Sequence, residues 1–132
     1  MSVVVDSSVV VAALLDAGAT GGWAERVIEQ GSLHAPELIR AEVTGVLRRL
    51  ERSEQISKSE ANAAFADFME LHIELLAFDP FSDRIWELRE SVSGQDAWYI
   101  AVAEVLDLPL ATLDSRLTAA AGPKCPFLTP AA

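Results

Sequence analysis

Val3-Val4-Val5-Asp6 is a β-branched run stopped by an acid, and Leu110-Ala111-Thr112-Leu113-Asp114 repeats the arrangement near the other end of the chain. Short continuous apolar runs without polar alternation read as strands buried on both faces, the signature of a parallel sheet covered by helices. Strands that alternate with helical segments point the same way. The expected architecture is therefore α/β, a three-layer fold with a central, mostly parallel sheet flanked by helices. In such sheets ligands bind beyond the carboxyl ends of the strands. If the two strands run parallel, Asp6 and Asp114 face one edge.

Between these strands the spacing predicts helices over Val9–Leu15 and Gly22–Gln30, a short strand at Leu33–Ala35, and a helix over Glu37–Glu51 with Pro36 at its first position. Ile39, Val43, Val46, Leu47 and Leu50 fall on one face of that last helix. Ser57 and Glu60 form a capping box, so a helix should run from there to about Glu70. A strand over Ile73–Phe78, helices over Ser82–Glu90 and Gln95–Leu106, a short helix ending at Ala120 and a last strand at Phe127–Leu128 complete the pattern.

The 132 residues carry 20 acids against 10 bases, a formal charge of -10, and 51% are hydrophobic. This suits one domain over residues 1–132 with a sizeable core. No apolar run approaches the ~20 residues that span a bilayer, and the start has neither the basic segment nor the apolar stretch of a signal peptide. Cys125 is the single cysteine, which excludes an internal disulfide and a cysteine-based zinc cluster. A cytoplasmic protein without membrane association is expected. Such an acidic chain repels polyphosphates unless cations intervene, so plain electrostatic binding of nucleic acid is a poor first reading.

Four acids stand at informative positions. Asp6 and Asp114 follow strands, and Asp96 opens an apolar helix. Glu42 lies on or beside the buried stripe of its helix, where a carboxylate needs a partner. Helix capping accounts for each aspartate singly, and Glu42 at a stripe border can reach water. As a set they read differently: Ser7 or Ser8 can cap the first helix without Asp6, and no arginine is placed by sequence to neutralise Glu42. Converged carboxylates share protons or hold a cation. Hard oxygen ligands select magnesium or manganese, and an ion held in that way binds substrate phosphate as well. Local acidity then becomes a site for nucleic acid.

Val4-Val5-Asp6-Ser7-Ser8-Val9, Pro36-Glu37-Leu38-Ile39-Arg40-Ala41-Glu42-Val43, Asp96-Ala97-Trp98-Tyr99-Ile100-Ala101-Val102-Ala103 and Leu110-Ala111-Thr112-Leu113-Asp114-Ser115-Arg116-Leu117 together resemble, in order and spacing, the four motifs of the PIN-domain family. Within it they are similar to the small ribonuclease toxins of VapBC toxin–antitoxin pairs, over essentially the whole chain. The resemblance implies a Mg2+- or Mn2+-dependent endoribonuclease with Asp6, Glu42, Asp96 and Asp114 as the catalytic, metal-binding acids. Thr112 would orient a carboxylate or water, with Ser7 in a similar supporting role. It also implies an RNA substrate, homodimers and a cognate VapB-type antitoxin whose tail covers the cleft. Trp98 is bulkier than the family's usual residue there.

Arg116, just after Asp114, is open to two readings, a grip on the scissile phosphate or a simple pair with that aspartate. Arg40, Arg48, Arg49 and Arg52 read as a solvated face of their helix, with RNA tracking as the other possibility. Two other classes compete. A phosphatase or receiver-type protein would use Asp6 as phosphoacceptor, but Ser8 stands where the phosphatases have a second aspartate, and the one late lysine is Lys124. A non-catalytic partner-binding domain would use the acids as helix caps alone.

Overall fold

A computed structural model describes residues 1–131. The strands are β1 (Ser2–Val5), β2 (Ser32–Pro36), β3 (Ile73–Leu76), β4 (Leu110–Ala111) and β5 (Phe127–Leu128). They form one sheet in the order β3-β2-β1-β4-β5, and every pairing is parallel. The helices are α1 (Ser7–Leu15), α2 (Ala19–Glu29), α3 (Leu38–Arg52), α4 (Lys58–Glu70), α5 (Ser82–Glu87), α6 (Gly94–Leu106) and α7 (Ser115–Ala119). A 3-10 turn at Asp79–Phe81 precedes α5. The mostly parallel sheet expected from sequence is thus wholly parallel among the described residues.

Val3, Val4 and Val5 are buried, as both-face burial of the central strand requires, and Leu110 and Ala111 beside them are fully enclosed. Helices α1 to α4 pack on one another, while α6 packs against β1, β2 and β4 and against α5. Helix α6 is apolar nearly all round because Ala97 and Tyr99 to Ala103 are all buried. On α3 the apolar stripe divides: Ile39, Val43 and Leu47 are buried, and Val46 and Leu50 are left half-covered. The predicted capping box is present, with Ser57 Oγ accepting from Glu60 N and Glu60 Oε1 from Ser57 N.

Several boundaries differ from the sequence reading: α1 and α2 start earlier, at Ser7 and Ala19, and β3 and α5 end earlier, at Leu76 and Glu87. Two further differences have a local reason. Pro36 closes β2 instead of opening α3. The β1 register ends at Val4↔His34, so no β1 carbonyl needs the proline's missing N–H, and Glu37 N takes up the bond to Leu76 O. Strand β4 ends at Ala111, two residues before the expected end. Beyond it side chains replace the ladder: Leu113 N donates to Ser8 Oγ and Asp114 N to Thr112 Oγ1.

Candidate metal centre

The carboxyl edge of the sheet collects the four acids. Asp6 follows β1 and caps α1, its Oδ1 accepting from Val9 N at 3.2 Å. Ser8 Oγ donates to the same oxygen and the fully buried Thr112 Oγ1 to Oδ2. A serine does support Asp6, but it is Ser8; Ser7 lines an apolar groove beside it. Asp114 follows β4 and caps the short α7 by accepting from Arg116 N at 3.0 Å. Capping is therefore true of Asp6 and Asp114. It is not true of Asp96, because Ser93 caps α6.

Glu42 projects from α3 to the same edge, half-buried. Its partner is one that sequence reasoning missed: Tyr99, on α6, donates its hydroxyl to Glu42 Oε1 at 2.6 Å. The available signal was spacing. Tyr99 lies three residues after Asp96 on one helix, so both side chains share a face.

Electrostatics link the acids. Burial pushes the Asp6 carboxyl above the usual aspartate range, against the pull of the Ser8 and Thr112 hydroxyls. Burial also raises Glu42; the Tyr99 hydrogen bond works against this, and the charges of Asp6 and Asp96 add to it. Asp96 is raised by burial, opposed by the Ser93 hydroxyl, and raised further by the charge of Asp114. Asp114 differs, held low by the Arg116 guanidinium that hydrogen-bonds it. Among the described residues neither Asp6, Glu42 nor Asp96 pairs with an arginine or lysine, whereas Arg116 pairs with Asp114. The edge is a region of uncompensated negative charge.

The donor set fits a hard divalent ion, being all oxygen with no thiol or imidazole among the four acids. Among the described residues, no three acidic, imidazole or thiol side chains already stand close enough to enclose an ion. A cleft of about 470 Å³ opens from Asp96 and Asp114, walled by Ser91, Ser93, Gln95 and Arg116. A larger groove of about 630 Å³ starts at Ser7 and Ser8 and continues along Val11, Leu15, Val46, Leu50 and Ile56.

Other polar and aromatic side chains take structural parts. His34 Nδ1 lies 3.1 Å from the Glu74 carboxylate across β2 and β3. Cys125 is buried, and burial with the nearby Glu104 charge pushes its thiol up to about 11, far from a nucleophile at neutral pH. Trp98, half-buried, packs edge-on against Phe78 with ring centroids 5.4 Å apart. Arg40, Arg48, Arg49 and Arg52 are exposed, and among the described residues none forms an ion pair, so the expected carboxylate partners on α3 are missing.

A family model described as the PIN domain matches residues 3–123. This chain belongs to the PIN-domain family. Among curated PIN-domain relatives, Ribonuclease VapC9 of Mycobacterium tuberculosis is 34% identical, covering 95% of each chain. Ribonuclease VapC1 of the same organism is 39% identical, covering 92% of each. Solved PIN-domain structures share the fold at lower identity. VapC20 of M. tuberculosis, described as a toxin that cleaves the sarcin–ricin loop, has a TM-score of 0.66 at 19% identity, covering 89% of this chain and 93% of that one. The VapBC2 complex of Rickettsia felis, bound to a DNA fragment from its promoter, has 0.67 at 13% and covers 98% of each. Among the described residues, no helix of this PIN domain is long and apolar enough to cross a membrane.

Proposed function

We propose that this chain is a divalent-metal-dependent endoribonuclease acting as the toxin of a toxin–antitoxin pair, cleaving RNA phosphodiester bonds and so inhibiting translation or growth. The observation that carries the reading is the cluster itself. Asp6, Glu42 and Asp96, from three separate elements, are each pushed up by burial at the carboxyl edge, Glu42 further by the charges of Asp6 and Asp96, with no basic side chain paired to them. The names of relatives aligned over more than nine-tenths of the chain support the same activity.

Asp6, Glu42, Asp96 and Asp114 would hold Mg2+ or Mn2+, whose chemistry is to polarise the phosphodiester and lower the pKa of a water at the site. The protein's own contribution is placement. Thr112 and Ser8 fix both oxygens of Asp6, and Tyr99 fixes one oxygen of Glu42. The second Glu42 oxygen would then be available to an ion. Ser7, at the junction of site and groove, would contact water or the incoming strand.

The apolar groove between α1 and α3 gives a VapB-type antitoxin a surface to fill. A partner lying along Val11, Leu15 and Leu50 reaches the carboxylates at the Ser7–Ser8 end, and so blocks the site. The VapBC complex among the structural neighbours supports such a partner. A cytoplasmic homodimer is the state we propose for the toxin.

The test is a cleavage assay on transfer, ribosomal and messenger RNA with manganese, with magnesium, and with chelator. Cleavage that requires the metal and is lost in Asp6→Asn and Asp96→Asn is expected. Full activity in both variants, or cleavage undiminished by chelator, overturns the reading.

A further inference from the structure

We propose that Arg116 grips a backbone phosphate of the RNA strand in the cleft beside Asp96 and Asp114, and that its hold on Asp114 is a resting position left when substrate arrives. This rests on the ribonuclease reading and adds to it a place for the strand. The guanidinium lies across the Asp114 carboxylate, with Nε 3.3 Å from Oδ1 and Nη2 3.2 Å from Oδ2. Its side chain is 89% exposed, so no packing fixes it there. An ion pair this open to water is weak, and leaving it costs little.

The surroundings indicate where the guanidinium goes. It is the cation among the residues lining the cleft, whose other polar walls are Ser91, Ser93 and Gln95 beside the two aspartates. It lines this cleft together with Asp96 and Asp114. The nearby Arg84 is committed elsewhere, bidentate to Glu104 and bonded to Gly122 O. A strand approaching an acidic edge needs a cation that can turn from carboxylate to phosphate, and the planar fork of arginine matches both. Because the fork covers both Asp114 oxygens at rest, it also competes with a metal for that carboxylate.

The test compares wild type, Arg116→Ala and Arg116→Lys as full-length protein on a short fluorescent single-stranded RNA in Mn2+, over a range of salt. Thermal stabilisation by Mn2+ alone, without RNA, establishes that each variant folds and takes up metal. We expect Arg116→Ala to raise KM about tenfold with a smaller change in kcat. The salt dependence of kcat/KM should become shallower by about one phosphate contact. Arg116→Lys should keep the wild-type salt slope and recover KM only in part, since charge is retained and the fork is lost. Unchanged KM and salt slope in Arg116→Ala, or a loss confined to kcat, overturns the grip. Wild type that cleaves no RNA in any metal overturns the ribonuclease reading instead, a separate result.

Discussion

The Tyr99 hydroxyl donates a 2.6 Å hydrogen bond to Glu42 Oε1, tying α6 to α3 between residues 57 apart in sequence. The phenol is itself buried, and burial together with the facing Glu42 carboxylate pushes its pKa upward, so it remains a donor throughout the working pH range. Tyr99 therefore serves as a fixed anchor for an acid that burial and its neighbours discourage from ionising.

Replacing Tyr99 with Phe keeps the packing and removes the donor. Glu42 then loses the interaction that favours its charged form, and its pKa rises further. The expected outcome is Mn2+ binding weakened about tenfold, by calorimetry, as one charge-assisted hydrogen bond is lost. The acidic limb of the cleavage pH profile should move to higher pH. An unshifted profile with wild-type metal affinity shows that the bond only supports the fold.

Asp6→Asn and Asp96→Asn should abolish cleavage while the metal-free protein keeps its fold or gains about 1 kcal/mol, because like-charge repulsion and the cost of burying charge are relieved. Asparagine at position 6 retains an oxygen for the Val9 N–H, so the cap of α1 survives. Chemical denaturation in chelator checks the stability, and a fall of several kcal/mol in either variant contradicts the repulsion argument.

The pH dependence of the metal-free protein has a definite sign. Asp6, Glu42 and Asp96 hold protons to higher pH folded than unfolded. From the unfolded carboxylate value of about 4 up to their raised folded values, the folded state binds more protons, so stability falls as pH rises. Asp114, held low by Arg116, runs the other way, its contribution being lost as pH falls through its lowered value. Tm should thus decline in chelator as pH rises above about 4, on the order of a few degrees. Saturating Mn2+ should flatten the decline, since a ligand bound only to the folded state stabilises it. A Tm insensitive to metal at pH 7 would favour acids that are no more than caps.

Thr112→Val removes a buried hydroxyl that donates to Asp6 Oδ2 and accepts from Asp114 N. Two groups lose a partner at once, so a cost of about 1–3 kcal/mol is expected, together with lower activity. Thr112→Ser should restore most of both. Wild-type stability in the valine variant, measured by denaturant titration, would show that the hydroxyl is dispensable.

Leu50→Glu places a charge in the apolar groove, away from the acids. Its RNA cleavage should match wild type in vitro, while co-expression with the antitoxin should no longer protect growth. Full protection would move the antitoxin to another surface.

Much of this protein is legible in one dimension because the information is local. An all-valine run ended by Asp6, a capping box at Ser57–Glu60 and a stripe over Ile39, Val43 and Leu47 are each set by neighbours within a turn or a strand. The four acids could be listed for the same reason, as each interrupts a local pattern. What the sequence leaves open lies across distance. Thr112 is a partner of Asp6 and Tyr99 the partner of Glu42, from positions 106 and 57 residues away. Past the end of β4 the Leu113 amide donates to the hydroxyl of Ser8, 105 residues earlier.

The sequence by itself determined the parallel α/β class and the candidate acids, through apolar periodicity and the position of charge within it. Only the tertiary structure decided which of them go unneutralised. Asp114 meets a guanidinium, whereas Asp6, Glu42 and Asp96 meet hydroxyls and one another. The Asp114–Arg116 pair is local, two residues apart. That Asp6, Glu42 and Asp96 meet no cation depends on through-space distances between elements far apart in the chain, and charge–charge energy follows distance and burial, neither of which is written in residue spacing.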